Sequence, residues 1–313
     1  MNRSFRGEIL IRYILLTKKG LYAPNNDGTY SVTWSGKSFI HGDVNGRQIA
    51  LIVEGNEVWV GDFERGWEPI LTCNTKLRCI KWLSKNRLLV GTAGARLAWI
   101  ENEKLNFISS FDDIKERSTW NTPWGGPPDT RSIVTSGNAN IYANIHVGWI
   151  ARSFDSGQTW QNLQNGLEKD VHQVATHPIR EEVVFAATAW GFHVSFDYGE
   201  SFVRKWKEMP INYQRATICY PNDDFYVVSV ARGSYGRNAQ LYWTDTSGDT
   251  WQLAAGLPRD IEKNIDTFQL CRIGSTRGLV VIENNQLYGT EDQGKSWKRI
   301  TMIPPRINQV LAL

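Results

Sequence analysis

An eight-residue pattern recurs through the second half of the chain at nearly regular spacing. It reads SFDSGQTW at 153–160, SFDYGESF at 195–202, TDTSGDTW at 244–251 and TEDQGKSW at 290–297. The glycines of successive copies are 42, 49 and 46 residues apart. Periods of about 40–50 residues are typical of propellers and solenoids, in which each repeat is one supersecondary unit. The octets therefore constrain the fold more than any other feature of the sequence.

Short segments rich in β-branched and aromatic residues separate the octets. Around the second copy, VHQVATHP, EVVFAATA, GFHVSFDYG and SFVRKW are typical of four strands, with the octet at the third hairpin. The same template predicts four-stranded units at roughly 38–72, 77–111, 131–166, 171–207, 214–256 and 266–301. No helical periodicity of useful length appears between them.

The N-terminal segment supplies only three strands, and the last residues, RINQVLAL, fit the missing innermost strand. We therefore predict an all-β fold, a seven-bladed β-propeller of four-stranded antiparallel blades. The C-terminal strand would pair into the N-terminal blade and close the ring, which removes exposed sheet edges. Residues 1–313 are expected to form a single domain.

The octet resembles the Asp box of sialidase-like (BNR-repeat) propellers, whose pattern is Ser-x-Asp-x-Gly-x-Thr-Trp. The first copy matches it fully, at Ser153, Asp155, Gly157, Thr159 and Trp160. This resemblance implies outer-rim turns remote from any ligand and is weak evidence for function, because hydrolases, receptors and assembly factors all carry Asp boxes.

The chemistry of the octet also favours a structural role for its acids. A carboxylate two residues before a glycine can accept hydrogen bonds from turn N–H groups, while the glycine supplies a positive φ angle. We therefore interpret Asp155, Asp197 and Asp292 as turn residues. In the third copy the equivalent position holds Thr246.

Bulk properties exclude several classes of protein. A net charge of +3 over 313 residues argues against wholesale nucleic-acid binding, and no apolar run is long enough for a membrane helix. Residues 1–20 lack the features of a secretory signal. The four cysteines form no CxxC pair, so we expect reduced thiols in a cytoplasmic protein.

One column of polar residues stands out when the seven predicted inner strands are aligned. Its members are His41, Arg78, Arg131, His172, Arg215, Thr267 and Asn308. Inward-facing positions at the mouth of a water-filled channel would give this pattern.

Three arginines in this column, Arg78, Arg131 and Arg215, repel one another unless anions compensate them. Nearby acids, among them Asp129, could pair with them. Alternatively, a ligand carboxylate, sulfate or phosphate could bind, since guanidinium groups grip such anions with paired hydrogen bonds. The three arginines resemble in type the arginine triad of sialidases. A small anionic ligand is the partner that we predict, with His41 contributing to the site.

Aromatic residues in the predicted loops on the same face could hold the body of a ligand. Trp124, Trp149 and Trp190 are the candidates, while Trp120 could contact a ligand or pin the long loop at 113–130.

Catalytic candidates also lie beside the column. Asp129 precedes Arg131 by two residues and could act as a general acid or base, and Tyr213 has the same relation to Arg215. His146 and His172 are further candidates, with Asp170 and Asp266 as additional acids. A sialidase-like tyrosine nucleophile would need a carboxylate partner, and no glutamate is assured in that role.

No cofactor and no metal site are predicted. His41, His146 and His172 could converge at one mouth, but no local spacing supports a metal. The glycine-rich stretches at 91–96 and 124–130 open no helix, so a phosphate-cradling loop is not supported.

Three functional hypotheses follow. The first is a hydrolase or lyase acting on a small anionic substrate at the channel mouth. The second is a non-catalytic scaffold that binds a protein partner, similar to the propeller factors that assist photosystem assembly. The third is a glycosidase similar to the seven-bladed xyloglucan-active enzymes, which is disfavoured because that family uses two tandem propellers.

Overall fold

A computed structural model describes residues 13–313 except Asn26, Glu208, Asn222, Asp223 and Pro305. Seven four-stranded antiparallel sheets account for all of its described strands. The prediction of an all-β, seven-bladed β-propeller is confirmed. The segment tested for a secretory signal lies mostly outside the described residues.

The strands follow one another from the innermost to the outermost position within each blade except the first, which begins with the last strand of the chain. Blades 1 to 4 consist of β28 (Ile307–Ala312), β1 (Tyr13–Thr17), β2 (Gly20–Pro24) and β3 (Tyr30–Ser35); β4 (Phe39–Asn45), β5 (Gln48–Val53), β6 (Glu57–Asp62) and β7 (Gly66–Thr72); β8 (Leu77–Ser84), β9 (Arg87–Thr92), β10 (Leu97–Glu101) and β11 (Lys104–Phe107); and β12 (Thr130–Ser136), β13 (Asn140–Ile145), β14 (Ile150–Ser153) and β15 (Gln161–Leu163). Blades 5 to 7 consist of β16 (Val171–Thr176), β17 (Val184–Thr188), β18 (Gly191–Ser195) and β19 (Val203–Lys205); β20 (Thr217–Tyr220), β21 (Phe225–Val230), β22 (Gln240–Thr244) and β23 (Gln252–Leu253); and β24 (Leu270–Ile273), β25 (Arg277–Ile282), β26 (Gln286–Thr290) and β27 (Lys298–Met302).

The innermost strands contact one another around a closed ring, in the order β28, β4, β8, β12, β16, β20, β24 and back to β28. The C-terminal strand β28 pairs antiparallel with β1, with Ile14 opposite Leu311 and Leu15 opposite Val310. Strands from the N-terminal and C-terminal parts of the chain thus share blade 1. This agrees with the prediction, which found only three strands in the N-terminal segment and assigned the fourth to the C-terminal strand.

Burial explains why the second strand of each blade is a nearly continuous apolar run. In β1, β17 and β21 every residue is buried, whereas the outermost strands such as β3 and β23 are largely exposed. A central strand is covered on both faces by neighbouring blades, so both sets of its alternating side chains must be apolar. Seven hydrophobic clusters of described residues fill the spaces between adjacent blades.

The octets form the turns between the third and fourth strands. Asp155 Oδ1 accepts hydrogen bonds from the backbone N–H groups of Gln158 and Thr159, both at 2.9 Å, and Oδ2 accepts from Thr159 Oγ1. These bonds, led by that from the Thr159 hydroxyl, lower the pKa of Asp155 to about 2. The prediction that Asp155 ties a turn is confirmed. In the third copy the hydroxyl of Thr246 takes the acid's place and accepts from the N–H of Thr250 at 3.0 Å.

Gly157 is required in its turn for two reasons. Its φ is +91°, a conformation that L side chains rarely adopt. A Cβ at this position would also lie 2.6 Å from Cζ2 of Trp99 on the preceding blade. The octet therefore fixes the contact between blades as well as the local turn.

The described helical segments are short: a helix at Ser109–Asp112 and 3₁₀ turns at Lys115–Thr119 and Glu283–Asn285. The first two lie at the start of the long connection between blades 3 and 4, where the sequence alone predicts a loop. Within the described part of the chain, no helix is long and apolar enough to cross a bilayer. All four cysteines are free thiols, two of them buried and two half-buried.

Candidate functional site

The segments that lead into the inner strands meet the loops between second and third strands at one face of the ring, which we term the channel mouth. Ala93, after β9, bridges to Asp129, before β12, and Tyr213, before β20, bridges to Ala231, after β21. The N–H of Ala189, after β17, likewise donates to the carbonyl of Asp170, before β16. The antiparallel order of each blade imposes this arrangement and places the octet turns at the opposite face.

Two of the three column arginines form ion pairs between neighbouring segments. Arg78 Nε lies 2.9 Å from Asp129 Oδ2, and Arg215 Nη1 lies 2.6 Å from Asp266 Oδ1. Asp129 is close in sequence to Arg131 but pairs with the arginine of the preceding blade. The expectation that nearby acids compensate part of the positive charge is confirmed for these two arginines.

Arg131 differs from them. It is half-buried, and no described carboxylate lies within ion-pair distance of its guanidinium. Burial and the positive charge of Arg215 lower the pKa of Arg131, against the opposing effects of Asp266 and Asp170. Arg131 is therefore the one column arginine without a paired acid among the described residues.

His172 is buried at the centre of a polar cluster. Its Nδ1 lies 2.5 Å from the carbonyl oxygen of Gln214, and its Nε2 lies 3.2 Å from the Tyr213 hydroxyl and 3.4 Å from Asp170 Oδ1. A carbonyl oxygen only accepts hydrogen bonds, so Nδ1 donates to Gln214, and this contact turns Nε2 towards Tyr213 and Asp170.

His146 joins this cluster from the loop after β13. Its Nε2 lies 3.5 Å from Asp170 Oδ1, and its ring is 5.3 Å from the ring of Trp124. Burial and the charge of Arg131 lower the pKa of His146 to about 4, so its ring is neutral near pH 7. Burial would raise the pKa of Asp170, but the adjoining His172 ring, followed by His146 and Arg131, outweighs burial and lowers it.

The remaining column residues hold the inner strands together. His41 Nδ1 accepts from the N–H of Ile80, and its ring packs against Phe268, with centroids 4.5 Å apart. Burial, followed by the charge of Lys81, lowers the pKa of His41 to about 3. The Thr267 hydroxyl donates to the carbonyl of Arg215 on the neighbouring blade at 2.9 Å, and the Asn308 amide donates to the carbonyl of Phe39. The proposed convergence of His41 with His146 and His172 is therefore wrong, since Asp170 is the third member of that group.

The aromatic candidates divide into structural and accessible rings. Trp120 is buried against Phe111 and pins the long loop, while Trp149 donates from Nε1 to the carbonyl of Leu167 and packs between blades. Trp124 and Trp190 are 74% and 59% exposed at the channel mouth. Of the three predicted ligand-binding tryptophans, these two are exposed and Trp149 is not.

A cavity of about 540 Å³ extends from Arg215 towards blades 7 and 1. Tyr235, which is 96% exposed, lines it together with Lys263, Asn264 and Gln269. Lys263 and Gln269 belong to no sequence motif, and neither lies in the polar column of the aligned inner strands. The packing of blade 7 against blade 6 brings them beside Arg215.

No family model matches this sequence, and no curated protein matches it. Solved structures do resemble the fold. The GH74 enzyme of Niastella koreensis is 12% identical with a TM-score of 0.60, over 92% of this chain and 46% of that chain. YCF48 bound to a D1 peptide is 14% identical with a TM-score of 0.57, over 92% and 84% of the two chains. The WD40 propeller domain of Doa1 is 11% identical with a TM-score of 0.63, over 94% and 88%.

This chain spans less than half the length of the GH74 enzyme from Niastella koreensis. At such low identities the similarity shows the propeller fold alone.

Proposed function

We propose that the channel mouth binds a small carboxylate-bearing ligand, with Arg131 as its anion-binding group. The observation that carries this proposal is the half-buried guanidinium of Arg131 without a paired acid among the described residues. Arg78 and Arg215 have acidic partners at 2.9 and 2.6 Å, which leaves Arg131 as the column arginine available to an anion. A carboxylate would form paired hydrogen bonds with Arg131 and offset its repulsion from Arg215.

The accessible aromatic rings supply a surface for the body of the ligand. Trp124 lies beside His146, and Trp190 lies on the loop that follows β17. A planar or apolar body could stack on these rings while its carboxylate reaches Arg131.

Hydrolase or lyase activity remains our leading hypothesis for what happens to such a ligand. Tyr213 and His172 are the catalytic candidates that the contacts favour, because the tyrosine hydroxyl lies 3.2 Å from His172 Nε2. Asp129 is better assigned to holding Arg78 than to proton transfer.

A glycoside hydrolase is disfavoured by the arrangement of the acids. Such enzymes use two carboxyl groups that flank the scissile bond. At the described channel mouth Asp129 and Asp266 are each paired with an arginine, and Asp170 lies between two histidines.

Calorimetric titration tests the binding proposal. The probes are acetate, succinate, citrate and benzoate, with phosphate and sulfate for comparison, all in buffer that contains EDTA. We expect at least one carboxylate to bind the wild-type protein and R131M to lose about tenfold or more in affinity. R65M, which removes an arginine that is 85% exposed elsewhere, is the matched control and should bind normally. Equal affinities of R131M and R65M, or no binding by any probe, would contradict the proposal.

Binding of a peptide is a second candidate, favoured by the exposure of Tyr235, Trp124 and Trp190 around one mouth. A peptide could place its terminal carboxylate on Arg131 and its side chains on these rings. Peptides selected by display for binding would be synthesised with free and with amidated C-termini. Loss of binding on amidation and in R131M would support a terminal carboxylate, whereas unchanged binding would show recognition through the aromatic rings alone.

We further infer that the octet turns are Asp boxes of the sialidase-like type and that the chain forms a single domain. The two hydrogen bonds that Asp155 accepts from Thr159 are repeated by Asp197 with Ser201 and by Asp292 with Ser296, which supports the first inference.

A further inference from the structure

Three potential metal-ligand atoms converge at the channel mouth. His146 Nε2 lies 3.5 Å from Asp170 Oδ1, His172 Nε2 lies 3.4 Å from the same oxygen, and all three atoms lie within 4.8 Å of one another. Lone pairs at these separations repel unless a proton or a cation lies between them.

The surroundings orient this group. Nδ1 of His172 donates to the carbonyl oxygen of Gln214, which turns Nε2 into the cluster. Asp170 Oδ1 is buried and accepts no hydrogen bond from the described residues. A buried carboxylate oxygen without a partner is costly, and such an atom in a native structure calls for an unseen ligand or ion.

We propose that His146, Asp170 and His172 bind a divalent transition-metal ion, with zinc as the best fit. Ligand atoms about 2.0–2.1 Å from a tetrahedral zinc ion are roughly 3.4 Å apart. The two distances from Asp170 Oδ1 match this spacing, and the two histidine nitrogens lie within 4.8 Å of each other, so a small rotation of the rings would complete the set. The Tyr213 hydroxyl, 3.2 Å from His172 Nε2, or a water molecule would take the fourth position.

The donor set selects the class of metal. Two imidazole nitrogens and one carboxylate suit zinc and other late first-row ions, whereas calcium and magnesium prefer all-oxygen sites. The contact between His172 Nδ1–H and the Gln214 carbonyl is the support that metal-binding histidines usually have, since it fixes both tautomer and ring orientation.

Nearby positive charges oppose the binding of a cation, but no described arginine forms an ion pair with Asp170. Arg215 is paired with Asp266, so Arg131 is the main unpaired charge beside the cluster. A bound metal would make the mouth more positive and should therefore raise its affinity for carboxylates. The metal site goes beyond the proposed function, because the metal can bind whether or not a carboxylate does.

Cobalt(II) substitution tests the metal site directly. The full-length protein, stripped with EDTA and transferred to a chelator-free buffer, is titrated with Co²⁺ while the visible d–d bands are recorded, and with Zn²⁺ by calorimetry. We expect one equivalent of each metal to bind, with the intense bands of four-coordinate cobalt. D170N should weaken binding at least about tenfold, and H146N, on a half-buried loop, should do the same.

D266N is the matched control, because it removes a carboxylate from the same mouth but outside the cluster. It should retain metal binding. The proposal is overturned if the wild-type protein binds no stoichiometric metal, if folded D170N and H146N bind as well as wild type, or if D266N loses binding equally. The first result would show that a proton on His172, shared with Asp170, relieves the repulsion instead. These titrations contain metal and no carboxylate ligand. A failure to bind metal would therefore not decide whether Arg131 binds a carboxylate.

Discussion

Replacing Arg131 with methionine removes a half-buried positive charge, so we expect R131M to stabilise the ligand-free protein. Methionine preserves most of the apolar stem of arginine, and the substitution therefore changes charge more than packing. The outcome is unusual for a polar residue, because most substitutions in a folded protein are destabilising.

The magnitude follows from the surroundings of the two arginines. A buried polar group without a partner costs about 1–3 kcal/mol, and the exposure of Arg131 reduces this to about 1–2 kcal/mol. R78M has the opposite sign, because it leaves Asp129 without its partner at 2.9 Å; for a pair that is about one-third exposed we expect a loss of about 1–2 kcal/mol. In a protein of this size 1 kcal/mol shifts Tm by roughly 2 °C.

Differential scanning calorimetry in a carboxylate-free buffer measures both variants under the same conditions. R131M should melt about 2–4 °C above the wild type, and R78M about 2–4 °C below it. Both substitutions remove one positive charge from the same column, so any general effect of net charge cancels in the comparison. If R131M lowers Tm as much as R78M does, Arg131 has stabilising contacts and the reasoning that leads from its charge to a ligand fails.

Three further outcomes can be tested by urea unfolding. D155A should destabilise the protein by about 1–2 kcal/mol through its lost turn bonds while carboxylate affinity in the calorimeter stays unchanged; weaker binding would contradict a purely structural role. G157A should lower the free energy of unfolding by about 2–5 kcal/mol, clearly more than G274A does. Both glycines have a positive φ, but only a Cβ at position 157 would meet Trp99, so equal losses would contradict the packing argument. Burial, the largest effect, lowers the pKa of His193 to about 4, against an unfolded value near 6.5, so the unfolded chain binds more protons and stability should fall as pH drops from 6.5 towards 4. The loss attributable to His193 is at most about 3 kcal/mol, and H193Q should flatten the pH dependence of the unfolding free energy.

Much of the site could be located from the sequence because the register of a propeller is local. Once the octets mark the third hairpin, the first residue of each inner strand is fixed by counting, and Arg78, Arg131 and Arg215 fall at one mouth. The signal for the accessible aromatic rings was weaker. Trp124 and Trp149 come from the same face-side loops, yet the first is exposed and the second is packed between blades.

The sequence by itself determined the repeat, the strand order and the turn role of Asp155, because hydrogen bonds within an octet and apolar runs within a strand involve residues close in the chain. Tertiary structure alone decided the electrostatic partners. Asp129 pairs with Arg78 on the preceding blade and leaves Arg131 without a paired acid among the described residues, while Asp170 lies between His146 and His172. The ion pair between Arg78 and Asp129 joins residues about 50 positions apart. Such a contact depends on the distance between neighbouring blades and on the direction in which each side chain points. Neither quantity is encoded in the spacing of a motif.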